Sequence, residues 1–373
     1  MHLDSVHVEK EVNGNIVREE KNLFEMLLDF RKDIGLGETK PIKPINDGLY
    51  HYTSIPSLLA ILRNDSFRLS NSIYCNDSSE GNLIPKYGDW FAQNCNGLKQ
   101  YDDYILSLCQ ENDDLSQWRG YCPNGGATIG LCYSAISGQA NPYNTRKCAV
   151  SILDKDFSSN GCHEELDDFA IPVFYIDSKH DANAIVEKVL ELAKKENVVD
   201  NDRPLIQRGI IPYLKNGKFH HEQEYRIVIP NRDEYFIKCI DYRTKEDKQL
   251  VPYIDIKMGR VSDSKKTKRI TDAEIDIMLD EACDTEYILI PQCRNQEDLF
   301  NKIEKKIDKT QKYKNSGIKI ICEGHLPVNS ITIGPTHNRE KVKEQVERFC
   351  KSRYWLRGIP IAVSEIPYIP PNE

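Results

Sequence analysis

The feature of this sequence that most restricts its fold is the order of its short apolar segments, which follow one another in runs. Segments rich in Val, Ile, Leu and Tyr, bounded by polar residues, are typical of strands. They occur at 49–54, 67–73, 104–109, 127–133, 148–153, 171–176, 224–230, 251–256, 286–290, 318–322, 329–333 and 359–363. Because few helices interrupt them, the pattern favours an α+β fold over a doubly wound parallel sheet.

Amphipathic periodicity predicts helices between some of these strands. Ser54 is a predicted N-cap, with Pro56 in the first turn of the helix that follows. The other predicted helices are 20–34, 181–197, 203–215, 295–307 and 338–352. We therefore divide the chain into an N-terminal helical extension (1–46), a core (47–240) and a C-terminal α/β part (241–373) with a basic insertion near 262–326 and a final β–α–β segment.

Composition excludes several classes of protein. Hydrophobic residues are 39% of the 373 residues, enough for a packed core, and the formal net charge of −8 excludes a globally basic nucleic-acid coat. The sequence has neither a signal-peptide pattern nor an apolar run near the ~18 residues of a membrane helix, so we expect a cytoplasmic protein without membrane contact. None of the 12 cysteines forms a C-x-x-C pair, which favours reduced thiols over a metal site or disulfides.

Two segments concentrate positive charge. Residues 257–269 contain six bases and one acid, and residues 302–314 contain six bases and two acids. Each is either a solvated surface or a surface that contacts nucleic-acid phosphates. The common nucleotide-binding, hydrolase and zinc-protease motifs are absent, and one nuclease-like string, Asp241 followed by Asp255-Ile-Lys257, is of a kind frequent by chance.

Three short strings could carry chemistry. On the 49–54 strand, His51 and Thr53 share one face, which suits binding of a ribose or an amide, although a hydrogen-bonded core histidine has the same pattern. Trp118 and Tyr121 lie one helical turn apart and could cover a flat ring, although such a pair is more often core.

The third string, His221-Glu222-Gln223-Glu224-Tyr225-Arg226, places Glu222, Glu224 and Arg226 on one face if it is a strand. Two carboxylates about 7 Å apart repel unless Arg226 or water compensates their charge. The pattern fits an exposed charged strand, or a site where one carboxylate stabilises a developing cation and the other steers the attacking group. Glycosyl transfer through an oxocarbenium-like centre needs such a pair.

Several strings, taken in chain order, resemble the bacterial family named domain of unknown function 2971. They are LYHYTSIPSLLAIL (49–62), NDSSE (76–80), SLCQENDDLSQWRGY (107–121), HEQEYRIV (221–228), and ITIGPTHN (331–338) leading to IPIAVSEIPY (359–368). More distantly, the early H-x-T strand followed by a helix, and the late Glu-x-Glu strand, resemble the ADP-ribosyltransferase superfamily and its DNA-targeting bacterial toxins.

This second resemblance implies a strand-rich split-sheet core with peripheral helices, and an enzyme that transfers ADP-ribose from NAD to a protein or nucleic-acid acceptor. It implies that Glu224 is the catalytic acid, that Glu222 positions or deprotonates the acceptor, and that His51 binds the nicotinamide-side ribose. The implied NAD-binding residues are His51, Tyr52, Thr53, Ser107, Trp118, Tyr121 and Arg226. A toxin or phage-defence role follows by analogy alone.

Two alternatives to an ADP-ribosyltransferase remain at this point. One is a non-catalytic module that binds nucleic acid through 257–269 and 302–314, and the other is a nuclease. The first alternative predicts polynucleotide binding that weakens as salt rises, without turnover of NAD.

Overall fold

A computed structural model describes residues 5–13, 15–22, 48–74, 103–132, 148–152, 162–164, 170–199, 211–229, 240–244, 249–260, 270–285, 287–291 and 295–367. The chain divides into two compact units. Unit 1 comprises Met1–Lys43, Arg68–Ser107 and Asp168–Ile254, and unit 2 comprises Pro44–Phe67, Leu108–Asp167 and Asp255–Glu373.

The described residues form a strand-rich, mixed α/β protein with several helices. In chain order the strands are β1 (Ser5–Val12), β2 (Asn15–Asn22), β3 (Gly48–Thr53), β4 (Phe67–Asn71), β5 (Tyr104–Cys109), β6 (Ala127–Cys132), β7 (Cys148–Ile152), β8 (Cys162–Glu164), β9 (Ile171–Pro172), β10 (Phe174–Ile176), β11 (Leu214–Asn216), β12 (Glu224–Ile229), β13 (Asp241–Thr244), β14 (Leu250–Arg260), β15 (Tyr287–Ile290), β16 (Lys319–Cys322), β17 (Val328–Ile333) and β18 (Ile361–Val363). The helices are α1 (Ile55–Asn64), α2 (Leu115–Tyr121), α3 (Lys179–Lys195), α4 (Asp272–Thr285), α5 (Gln296–Lys309), α6 (Gln311–Asn315) and α7 (Arg339–Lys351).

Each segment predicted as a strand contains a strand, and four predicted helices are confirmed as α1, α3, α5 and α7. The helix predicted over 203–215 is wrong at its end, because Ile211–Tyr213 form a 3₁₀ turn and Leu214–Asn216 form strand β11. The helix predicted over 20–34 begins too early, because residues 20–22 belong to β2. The rest of both segments lies outside the described residues.

Within unit 1, an antiparallel hairpin joins β1 to β2, and β10 pairs with β11 in parallel. Strand β12 is buried along its whole length and pairs antiparallel with β9. The predicted 171–176 strand is split at Val173, so that β9 pairs with β12 while β10 pairs with β11. This split brings the start of β12 near the start of β11, because the amide of Val173, next to the Phe174–Leu214 pair, donates to the carbonyl of Glu224.

Within unit 2, β6 lies between β3 and β17, antiparallel to both. Strand β18 pairs with β17 in parallel, with helix α7 between them in the chain, which confirms the predicted β–α–β segment. The Ser54 side chain caps α1 by accepting from the amide of Ser57, as predicted, and Asp65 closes the helix in the left-handed conformation. A second, parallel pair is formed by β15 and β16.

The core of unit 2 depends on close contact between Trp118 of α2 and the backbone that follows β17. Trp118 is fully buried, and its indole nitrogen donates to the carboxylate of Asp113 at 2.7 Å. The same carboxylate accepts from the Ser364 hydroxyl at 2.6 Å and from the Glu365 amide at 3.0 Å. Asp113 therefore joins α2 to the segment after β18.

We expect Gly334→Ala to destabilise the protein by about 1–3 kcal/mol, because a Cβ atom at this position would overpack the core. It would lie 2.7 Å from Cζ3 and 2.8 Å from Cε3 of the Trp118 ring. Urea unfolding measures the change. Gly120→Ala is the matched control: it lies in α2, a Cβ there meets nothing within 4 Å, and alanine favours a helix. Equal stability of the two variants would contradict the packing argument.

Candidate functional site

The strongest concentration of buried charge in the described residues lies in unit 1, where β11 and β12 bring Lys215, Glu222, Glu224 and Arg226 together. We call these four residues the carboxylate cluster. A 3₁₀ helix, Gly217–Glu222, connects the two strands, and Gln223 then takes a positive φ of 44° before β12 begins. Glu222 therefore lies at the end of a 3₁₀ helix, which corrects the expectation that it shares a strand face with Glu224.

The connection between the strands places Gly217 directly against the Asp177 side chain. A Cβ atom at Gly217 would lie 1.7 Å from a carboxylate oxygen of Asp177, so a side chain would displace Asp177 or the turn. The Asn216 side chain accepts from the amide of Lys218 and thereby caps the 3₁₀ helix. These local contacts fix the direction in which the chain passes from Lys215 to Glu224.

Lys215 bridges the two carboxylates of the cluster. Its Nζ atom donates to Oε2 of Glu222 and to Oε2 of Glu224, both at 2.7 Å. Arg226 holds Glu224 from the other side, with Nε donating to Oε1 at 2.8 Å and Nη2 donating to Oε2 at 3.0 Å. Its Nη1 donates to the carbonyl of Pro212 at 2.6 Å. The expected compensation of carboxylate charge by Arg226 is confirmed for Glu224.

Burial distinguishes the two carboxylates. The side chains of Lys215, Glu224 and Arg226 are 2%, 3% and 1% exposed, whereas that of Glu222 is 11% exposed. With two cations and two anions the cluster is neutral overall. A neutral cluster avoids the large cost of an uncompensated buried charge.

The cluster holds Glu224 ionised. Burial alone would raise the pKa of the Glu224 carboxyl, but the charges and hydrogen bonds of Arg226 and Lys215 lower this pKa to about 2. The amide of Glu224 donates to the Tyr175 hydroxyl at 2.9 Å. Burial, followed by the charge of Glu224, raises the pKa of Tyr175 to about 12, so that this hydroxyl stays protonated at neutral pH.

A lowered pKa in the folded state makes Glu224 a source of stability that acid removes. Its contribution is complete above the ordinary carboxyl pKa of 4.5 and is lost as the pH falls towards about 2. We expect the wild type to lose more stability between about pH 5 and pH 2 than Lys215→Met/Glu224→Gln, which lacks this pair. Urea unfolding at a series of pH values measures both curves. Parallel curves would show that Glu224 has no lowered pKa.

The early-strand residues lie in unit 2. The half-buried His51 ring meets the Phe67 ring edge to face, with centroids 5.4 Å apart. The Tyr52 hydroxyl donates to the Glu111 carbonyl at 3.0 Å and accepts from the Asp114 amide at 2.9 Å, and burial raises its pKa. The Thr53 side chain is buried. Tyr52 thus supports the loop before α2, on the strand face opposite His51.

The predicted ring pair separates into one core residue and one surface residue. The Trp118 side chain is 0% exposed and packs edge to face on Tyr52, with centroids 4.6 Å apart, whereas Tyr121 is 40% exposed. Trp118 therefore has no exposed ring face on which nicotinamide could stack, and the core interpretation of Trp118 accounts for its position. Tyr121 and the half-buried Ser107 remain predictions as NAD-binding residues.

The structure brings Glu222, Glu224 and Arg226 together and, separately, packs Tyr52 against Trp118. His51 belongs to unit 2 and Glu224 to unit 1. Their convergence on one ribose stays a prediction. Sequence reasoning missed Lys215, because its position depends on the parallel β10–β11 pairing. The available signal was a lysine directly after the apolar run Ile210-Ile211-Pro212-Tyr213-Leu214.

The basic segment 302–314 faces acidic partners in unit 2. Lys306 lies 2.6 Å from Asp276, Lys312 lies 2.6 Å from Asp280, and Lys302 lies 3.7 Å from Asp272. All three aspartates belong to helix α4. These exposed pairs contribute little stability, but they reduce the positive charge that a phosphate would meet. Most of segment 257–269 lies outside the described residues.

The nuclease-like string has a structural partner at its first residue, where Asp241 accepts from the Tyr253 hydroxyl. Within the described ranges, no three His, Cys, Asp or Glu side chains are placed to share a metal ion.

Among the helices that the structure describes, none combines the length and apolar character needed to cross a membrane.

Comparison with known proteins gives one match. Residues 117–227 match the model of a family described as "Protein of unknown function (DUF2971)". This range includes Trp118, β6 and the whole carboxylate cluster. No curated protein and no solved structure matches the chain.

Proposed function

We propose that this protein is an ADP-ribosyltransferase-like enzyme that cleaves NAD and transfers ADP-ribose to a macromolecule, with the carboxylate cluster as its reactive centre. The observation that carries the proposal is the unequal burial of two carboxylates bridged by one lysine. Glu224 is enclosed and held ionised, and Glu222 keeps an exposed edge. The chain order of His51-x-Thr53 followed by Glu222-x-Glu224 supports the same reading through the superfamily resemblance.

The burial suggests a division of roles that differs from the one implied by resemblance. Both oxygens of Glu224 accept from Arg226 or Lys215, so Glu224 acts as a positioning residue that orients Lys215 beside Glu222. Glu222 is the carboxylate that reaches the surface, so we assign contact with the reacting groups to Glu222.

In the proposed reaction the Glu222 carboxylate acts in two steps. The C1′–N bond breaks and its electron pair leaves with nicotinamide, so positive charge develops at C1′ of the ribose. A fixed carboxylate near that carbon stabilises the charge more strongly in a dry site than in water. An oxygen or nitrogen of the acceptor then bonds to C1′, and the proton it loses passes to Glu222.

The experiment that tests the proposal follows the destination of labelled NAD. The folded protein is incubated with NAD labelled in the adenylate group, together with separate pools of protein, DNA and RNA. We expect nicotinamide release and label in one pool, and ADP-ribose in solution if water is the acceptor. Intact NAD with all three pools would count against the activity.

The nucleic-acid-binding alternative receives less support from the described residues. This alternative rests on the positive charge of segments 257–269 and 302–314. In the structure, three lysines of 302–314 pair with aspartates of α4, which lowers that charge. A salt-sensitive association with DNA or RNA in the absence of NAD turnover would favour that alternative.

A further inference from the structure

Tyr175 lies beside the carboxylate cluster, and the reaction described above gives it no role. In the parallel pairing of β10 with β11, Tyr175 is the register partner of Lys215. Register partners on adjacent strands project from the same face of a sheet. The Lys215 ammonium donates to the Glu224 carboxylate at 2.7 Å, and the Tyr175 hydroxyl accepts from the Glu224 amide at 2.9 Å. Both side chains therefore reach Glu224 from the β10–β11 pair.

The Tyr175 hydroxyl has a proton that it can donate. Its oxygen accepts from the Glu224 amide through a lone pair, which leaves the O–H bond unused. In the part of the chain that the structure describes, no carbonyl, carboxylate or hydroxyl oxygen accepts this proton. Burial raises the pKa of Tyr175 to about 12, so the proton stays on the oxygen at neutral pH. Tyr175 can therefore donate a hydrogen bond to a molecule that binds beside it.

The Tyr175 hydroxyl lies near the exposed edge of Glu222. After burial and the hydrogen bond from Glu224, the charges of Glu224, Lys215 and Glu222 act on the pKa of this hydroxyl. Such effects weaken with distance and with intervening water, so these groups are close to the hydroxyl. Tyr175 is half-buried, and the Glu222 side chain is 11% exposed. A hydrogen-bond donor and a carboxylate thus lie next to each other where unit 1 meets solvent.

We infer that the Tyr175 hydroxyl and the Glu222 carboxylate together hold the acceptor of ADP-ribose, Tyr175 by donating a hydrogen bond and Glu222 by accepting one. This inference rests on the proposed function, because it assigns the acceptor of that same site. The acceptor that fits is a neutral group with both a proton and a lone pair, namely a hydroxyl or an amide. A guanidinium or ammonium group offers only donors, and a phosphate offers only acceptors and is repelled by Glu222.

Tyr175 keeps its own proton during the transfer and orients the acceptor. The acceptor oxygen or nitrogen bonds to C1′, its proton passes to Glu222, and the electron pair of the broken C1′–N bond leaves with nicotinamide. For an amide, Tyr175 donates to the carbonyl oxygen, and for a hydroxyl it donates to the second lone pair of the attacking oxygen. Orientation matters less for water, which is small and reaches C1′ in many ways. Tyr175 therefore favours transfer over hydrolysis.

Tyr175→Phe tests this role through the ratio of two products made in one sample. We expect the ADP-ribose attached to the labelled pool to fall about 5–10-fold relative to the ADP-ribose released into water, the effect of losing one neutral hydrogen bond. This ratio does not depend on the fraction of protein that is folded. Loss of the acceptor for the Glu224 amide alone would lower both products in parallel, and an unchanged ratio would overturn the inference. Tyr242→Phe, at an exposed tyrosine of β13, is the matched control.

The wild-type product gives a second measurement that needs no variant. Mass spectrometry of the labelled pool locates the atom that carries ADP-ribose, and we expect a hydroxyl oxygen or an amide nitrogen, which the fragment masses distinguish. Label on an arginine, a lysine or a phosphate would overturn the inference, as would free ADP-ribose as the only product. NAD that stays intact with every pool contradicts the proposed function itself, whereas transfer to a guanidinium contradicts only the role of Tyr175.

Discussion

Glu224→Gln is expected to destabilise the protein by about 3–5 kcal/mol, the usual cost of removing one partner from a buried ion pair. The substitution removes one of the two carboxylate charges that Lys215 and Arg226 contact, so the buried cluster changes from neutral to a net positive charge. Urea unfolding measures the loss. Glu187→Gln, on the exposed face of α3, is the matched control and should change stability by less than about 0.5 kcal/mol.

A second variant distinguishes loss of charge balance from loss of packing. Lys215→Met/Glu224→Gln removes one cation and one anion, which leaves Arg226 and Glu222 with equal and opposite charges. We expect this double variant to be more stable than Glu224→Gln alone, with a coupling energy above the additivity error of about 0.5 kcal/mol. Additive losses would show that Lys215 and Glu224 do not act as a pair.

Glu222→Gln is expected to lower the rate of nicotinamide release by about 100–1,000-fold, the usual effect of removing one acid–base or charge-stabilising group. Its effect on folding should be smaller than that of Glu224→Gln, because Lys215 keeps Glu224 as its partner and Glu222 lies partly at the surface. The measurement is the rate of nicotinamide release per folded molecule, with Glu187→Gln as the control variant. An unchanged rate would remove Glu222 from the chemistry.

Activity of Glu224→Gln alone cannot decide the catalytic question, because a destabilised protein loses activity for structural reasons. Resemblance to the superfamily makes this residue the obvious one to change, but its two ion pairs make it a poor probe of catalysis. Glu222 is the better probe of catalysis, because it has an exposed edge and its partner Lys215 also pairs with Glu224.

The twelve strands expected from sequence were predictable because each lies in a short segment rich in apolar residues, and burial of β6 and β12 on both faces explains two of those segments. The contact between Glu224 and Arg226 was predictable because residues two apart on a strand share a face. Helix α1 was predictable from Ser54, Pro56 and its apolar stripe.

Other features depend on contacts that a local pattern does not contain. Lys215 reaches the carboxylates only because β11 pairs in parallel with β10 and a 3₁₀ helix turns the chain back. Trp118 is core rather than a ligand platform because Gly334, more than 200 residues later, allows backbone contact with its ring. The β1–β2 hairpin had a local signal, the turn dipeptide Asn13-Gly14 with alternating valines before it. The many glutamates in both strands weaken the apolar pattern that would mark them as strands.

Release of nicotinamide from NAD by the folded wild-type protein, measured with protein, DNA and RNA pools supplied in turn, tests the central claim most directly. We expect release above background with at least one pool, and a fall to near background when Glu222→Gln replaces the wild type at equal folded concentration. NAD that stays intact with every pool, or release that is equally fast without the Glu222 carboxylate, would contradict it.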